Sequence, residues 1–202
     1  TYFSNIYRDS SNYDIIAGDV YTHIEMKIND YINQTIPSGV SNAASYPACS
    51  EENIISCIKN GGDTSKLSST EKSVYNSISS KLKKELRSIS STHQYEDTNG
   101  LLHGTLYTAG ISDIFGGVTN NVIVGDRGHW DKMDDGPYKG EYTYWYNPET
   151  NDRTGQHEKE LWAHYFSFQI TGDQEAIFTM NQYFPNAINQ YNDMATDMTE
   201  HY

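Results

Sequence analysis

Apolar residues recur at every fourth position in two long stretches of this chain, and that spacing sets its helical reading. Ile16, Val20, Ile24 and Ile28, extended by Tyr31 and Ile32, predict an amphipathic helix over about 14–33, because positions three and four apart share a helix face. His23 and Glu25 fall off that stripe and read as solvated face. Pro37-Ser38-Gly39 marks a turn, and 36–48 reads as loop. Ser50 then caps a short helix whose first turn holds Glu51 and Glu52, with Gly61-Gly62 closing it; carboxylates favour that end of a helix dipole. Ser68-x-x-Glu71 is a capping box. It opens a helix to about 89 with the stripe Val74, Ile78, Leu82 and Leu86. The first ninety residues thus read as three helices around a seam.

Past residue 90 the period breaks up. Residues 91–100 are polar and read as loop. Gly110 to Asn121 predicts a short helix capped by Ser112 and stopped by Gly116-Gly117, and Val122-Ile123-Val124 a short strand. Gly125 to Trp130 reads as a tight turn presenting His129. The 131–156 stretch reads as a hairpin or long loop around the strand-like run Tyr142 to Tyr146. Helical spacing returns over about 157–171, stopped by Gly172. Two more helices follow. One is capped by Asp173 and carries Ile177, Met180 and Phe184; the other starts at Pro185 with Ile188, Tyr191, Met194 and Met198 inward.

Composition sharpens this picture. With 27 acidic against 14 basic residues the formal charge is −13, a field that opposes a phosphate backbone, so no direct nucleic-acid partner is expected. No apolar run reaches the length of a membrane span. The core must be unusually aromatic, since the chain holds 17 Tyr, 6 Phe and 3 Trp. A start at Thr-Tyr-Phe, without Met or a basic and apolar leader, suggests a piece of a longer or processed chain. Enrichment in Asn, Ser and Tyr suits a secreted or delivered protein. Cys49 and Cys57 lie eight positions apart, about 12 Å if both are helical, so a disulfide requires Cys49 to lie outside the helix and fold back.

Candidate chemistry gathers in Gly155 to Phe166. His157, Glu160 and His164 fall on one helical side, beside the apolar flank of Leu161, Trp162, Tyr165 and Phe168. No His-Glu-x-x-His string exists, so zinc binding from one helix is not available. Convergence from separate elements would instead draw on His103, His129, either His157 or His164, and Glu160 as ligands of zinc or another divalent metal. His129, between a glycine and a tryptophan, either serves such a site or ties a turn. Asp113 is either a carboxylate facing the site or a first-turn residue. His157 and His164 read as helix surface.

Ser112-Asp113-Ile114-Phe115-Gly116-Gly117-x-x-Asn120, Gly128-His129, Tyr144-Trp145, Glu160-Leu161-Trp162-Ala163-x-x-Phe166 and Tyr183-Phe184-Pro185 together resemble a C-terminal module of phage minor head proteins and of bacterial polymorphic toxins of the LXG type. The last portion is also similar, distantly, to the zinc-protease domain of anthrax lethal factor. The resemblance covers about 100–200. It implies an α+β, mainly α fold: a helical N-terminal part, 1–90, and a zincin-like C-terminal part, 91–202, with a small strand element, together one unit. It implies a toxin or effector domain of a larger exported protein, secreted or delivered into a target cell. The activity implied is that of a metal-dependent, peptidase-like hydrolase acting on a protein substrate, with a cognate immunity protein as partner. Glu160 and His129 would be site residues and metal ligands, His103 a further ligand, and Glu158 or Asp113 the base. A degenerate structural or binding module and a nuclease or nucleotide-modifying toxin are the other functions this resemblance leaves open.

Overall fold

Ile16, Val20, Ile24 and Ile28 are fully buried, as are Ile78, Leu82 and Leu86 to within a percent, so the two four-residue stripes meet in the core. The computed structural model describes residues 10–35, 49–91, 94–96, 102–104, 106–125, 144–147, 149–150 and 152–201. It is mainly helical. In chain order come α1 (Ser10–Thr35), α2 (Glu51–Lys59), α3 (Ser69–Ser91), β1 (Gln94–Glu96), β2 (Leu102–Gly104), α4 (Leu106–Val118), α5 (Gln156–Thr171), α6 (Gln174–Tyr183) and α7 (Pro185–His201). A single 3-10 turn, Thr64–Lys66, links α2 to α3.

Local signals account for most helix ends. Ser50 Oγ accepts from Asn53 N at 3.2 Å and starts α2. The capping box at α3 is reciprocal: Ser68 N donates to Glu71 Oε2 at 2.8 Å, and Glu71 N to Ser68 Oγ at 3.2 Å. Gly172, left-handed at φ 68, ends α5, and Asp173 Oδ1 accepts from Ala176 N at 3.0 Å to start α6. The start of α7 is capped from another helix. Asp19 of α1, buried, accepts from Asn186 N at 3.1 Å and Ala187 N at 2.9 Å. That bond joins the first and last helices.

The β content differs from the expectation. Val122 to Val124 form no strand, and among the described residues of the 142–146 run only Tyr146 makes a bridge, to Arg153. Among the described residues the one sheet pairs β1, in a stretch read as loop, with β2 antiparallel, Tyr95 opposite His103. Ser112 does not cap α4, and the Gly116-Gly117 pair does not stop it. Ser112 is buried inside the helix and its Oγ accepts from Gly125 N at 2.8 Å. The helix ends instead at Val118, just before Asn120 and Asn121, both at positive φ, a conformation asparagine tolerates. His23 is buried rather than solvated, with Nε2 3.2 Å from Glu85 Oε1. Cys49 precedes the Ser50 cap, outside α2, and both thiols are free.

One hydrophobic core serves both halves of the chain, with residues of α1, α2 and α3 and of α4 to α7 in the same cluster. In it α4 packs against α5 and α3, while α1 runs against α7, α3 and α5. Trp145, fully buried, belongs to the same core, so the segment around it is part of the packed interior.

Candidate functional site

The opening pattern of α5 splits into two faces. Glu158 and Glu160 are two residues apart, about 200° around the helix, and their surroundings differ accordingly. Glu158 is buried, with Arg153, Lys159 and Asp14 as its charged neighbours, and burial pushes its carboxyl up toward the neutral form. Glu160 is partly exposed and lies where α5 meets the segment at Tyr144.

Around Glu160 the chain gathers a polar cluster. The Tyr144 hydroxyl donates to Glu160 Oε1. His164, one turn on, brings Nε2 to 3.8 Å from Oε2. The cluster is only part-open, with 27% of the Glu160 side chain and 13% of that of His164 accessible. Burial raises the Tyr144 pKa, its bond to Glu160 and the charge of Glu160 raise it further, and so does the negative charge of Asp113. Asp113 is buried on α4. Burial lowers the His164 pKa and Glu160 opposes that shift. The imidazole stacks along Phe168 and lies so close to α4 that a Cβ at Gly110 would stand 2.5 Å from its Cδ2. Helix α4 therefore needs glycine at that point for α5 to bring its histidine in.

Residues 144–147 and 152–154 form a strap over α4 and α5. Asn147 N donates to Asp152 O at 2.7 Å and Thr154 N to Trp145 O at 3.0 Å. Thr154 Oγ1 also donates to Tyr144 O at 2.6 Å. Tyr146 Oη reaches the Gly117 carbonyl at 3.3 Å, so the strap is tied to the last turn of α4 as well as to Glu160.

His157 lies under the strap. It is fully buried, not helix surface as its position on the polar stripe suggests. Its ring lies 4.4 Å from Trp145, 4.9 Å edge-on to Tyr13 and 5.8 Å from Tyr146. Burial, with Arg153 adding to it and the Gly117 backbone opposing, pushes its pKa down to about 4.

Of the residues the sequence selected, the structure brings Asp113 and Glu160 both within electrostatic reach of Tyr144 and puts Glu158 on the other face of α5. His129 and the side chain of His103 lie outside the described residues. Gly125, four positions before His129, is fixed by Ser112 and by Arg87, whose Nε donates to its carbonyl at 3.0 Å. Among the described residues no group of three or more His, Cys, Asp or Glu is placed to hold a metal ion. Glu160 and His164 are donors of the kind zinc takes, but two rather than the three a catalytic site uses. Tyr144 was missed at the sequence level. Its place in an aromatic run, where alternate residues read simply as a strand face, concealed it. No protein-family model, curated protein or solved structure matches the chain.

Proposed function

We propose that the chain is the effector domain of a larger exported toxin and acts as a hydrolase at the cluster centred on Glu160, in a C-terminal part of zincin-like descent. One observation carries this reading. A part-open carboxylate has a tyrosine hydroxyl on one oxygen and an imidazole near the other, on a helix with an aromatic flank. Such a set suits hydrolysis of an acyl bond. A carboxylate or imidazole takes a proton from water as it adds to the carbonyl carbon, and the bond to the leaving group breaks as that group is protonated. Asp113, rather than Glu158, is the second carboxylate on that side. By the resemblance, Glu160, His129 and His103 are the residues that would hold zinc or another divalent metal, which when bound polarises a carbonyl and activates water. The substrate class is protein, and a cognate immunity protein is the partner that would protect the producing cell.

The alternative, a module that binds without catalysis, draws support from the same carboxylate. A Glu160 held by its own chain is also a good internal tie between the strap and α5. Elemental analysis of the purified chain after zinc or manganese loading, beside Glu160→Ala and His129→Ala, separates the two. The metallohydrolase reading expects about one metal per chain by site stoichiometry, lost in both variants. No stoichiometric metal in the loaded wild type overturns it.

A further inference from the structure

His157 is costly where it stands. It is completely buried, and among the described residues no side chain hydrogen-bonds either ring nitrogen, the backbone of Gly117 being the polar group that lies at the ring. A buried polar side chain so thinly partnered destabilises a fold, and an apolar group of the same shape would not. What surrounds it is a cage built from three elements. Tyr13 of α1 meets the ring edge-on, Trp145 and Tyr146 of the strap cover it, and the backbone of Gly117 on α4 lies against it. The fit leaves no slack: a Cβ at Gly117 would stand 2.7 Å from Trp145 Cδ2 and 2.9 Å from His157 Cδ2.

From the cage a short chain of contacts leads to Glu160. His157 packs tilted against Trp145, Trp145 meets Tyr144 edge-on at 4.9 Å, and Tyr144 donates to the Glu160 carboxylate. We infer that His157 is a positioning residue: as a neutral ring it seats the strap on α5, thereby holding Tyr144 on Glu160, and acid releases it. The charged groups around the cage favour that release. Arg153, whose guanidinium lies 3.9 Å over the Tyr13 ring, opposes a second cation. Burial raises the Tyr13 pKa and keeps its hydroxyl neutral, and Tyr191 of α7 donates to the Glu158 carbonyl at 3.5 Å. Glu158, the next residue, is held toward its protonated form by burial, and Asp14 of α1 adds to that. A charged imidazole therefore gains an aromatic cage but no ionised partner seated against it, and water is its better solvent. The role of Glu160 in this inference rests on the proposed hydrolase site; the seating of the strap does not.

Imidazole-labelled NMR, near-UV circular dichroism and tryptophan emission, read from pH 7 to 3, test it together. The expected result is that His157 titrates near 4 and that near-UV signal, Trp emission and the Tyr144 ring resonances change with the same midpoint, ahead of the far-UV helix signal. His157→Phe and His157→Gln, neither of which titrates, lose that transition; if one fails to fold, the other carries the comparison. A His157 midpoint near the ordinary 6.5, a transition that persists in both variants, or Tyr144 resonances that do not follow His157 overturns the inference. None of these readouts depends on turnover, so a failure of the hydrolase reading is seen separately, as an absence of stoichiometric metal with the acid transition intact.

Discussion

Two carboxylates show how surroundings set a residue's role. Glu71 accepts from Asn53 Nδ2 at 2.8 Å, Ser68 N at 2.8 Å and Ser50 N at 3.2 Å, and these bonds, Asn53 first, hold its carboxyl down to about 2. Every oxygen is used to fix the starts of α2 and α3, and the residue is structural. Glu71→Ala is expected to cost about 1–2 kcal/mol, the range of a lost capping residue, read by urea unfolding. Because its folded pKa lies below the unfolded 4.5, its contribution is present above pH 4.5 and is lost as pH falls toward 2. Glu160, by contrast, spends one oxygen on Tyr144 and has the other 3.8 Å from an imidazole, a less complete set than that of Glu71. The Glu71 role was legible in Ser68-x-x-Glu71 alone, because a capping box is local. The Glu160 surroundings were half legible: helical period gives His164, but Tyr144 comes from a distant segment that no local spacing reveals.

Among elements, α4 is where sequence and structure part most clearly. Gly116-Gly117 reads as a stop because glycine lowers helix propensity. The structure keeps both inside the helix: at Gly117, Trp145 and His157 approach too closely for a side chain, and at Gly116 a Cβ would stand 3.3 Å from Val124. A glycine's conformational weakness is visible in one dimension; the neighbour that requires its smallness is visible only in three. Gly117→Ala is therefore expected to destabilise the chain by about 1–3 kcal/mol, the usual cost of overpacking. Gly18 gives the opposite case. Nothing lies within 4 Å of a Cβ there, so Gly18→Ala in α1 should stabilise by about 0.5–1 kcal/mol. Thermal unfolding of the two variants side by side checks both signs. The periodic helices α1 and α3 were legible because one buried stripe dictates them. The β1–β2 pair was not, since three-residue strands carry too little pattern.

For the whole molecule, buried titratable groups tie the helices and set the response to acid. Glu85 of α3 accepts from Tyr183 of α6 at 2.9 Å and pairs with His23 and Lys27 of α1 at 3.2 and 2.8 Å. Burial would raise its pKa, but these bonds outweigh burial and hold it near 2. Glu85→Ala should cost about 1–3 kcal/mol, the range for charge-assisted hydrogen bonds in a partly accessible site, and flatten the loss of stability below pH 4.5. His157 acts in a higher window. Its folded pKa is lowered from 6.5 to about 4, so the unfolded chain binds more protons between these values. Stability is complete above pH 6.5 and falls by about 3 kcal/mol as pH drops to 4; His157→Phe should remove that slope in unfolding curves taken at stepped pH.

The proposed function has Glu160 act on a substrate inside a target cell. Inducible expression of the chain and of Glu160→Gln in a bacterial and a eukaryotic cytoplasm, at matched soluble levels, tests it most directly. Wild type is predicted to arrest growth in at least one of these hosts, with the variant folded and harmless there. Growth unaffected by the wild type in both, or arrest undiminished by Glu160→Gln, would contradict it.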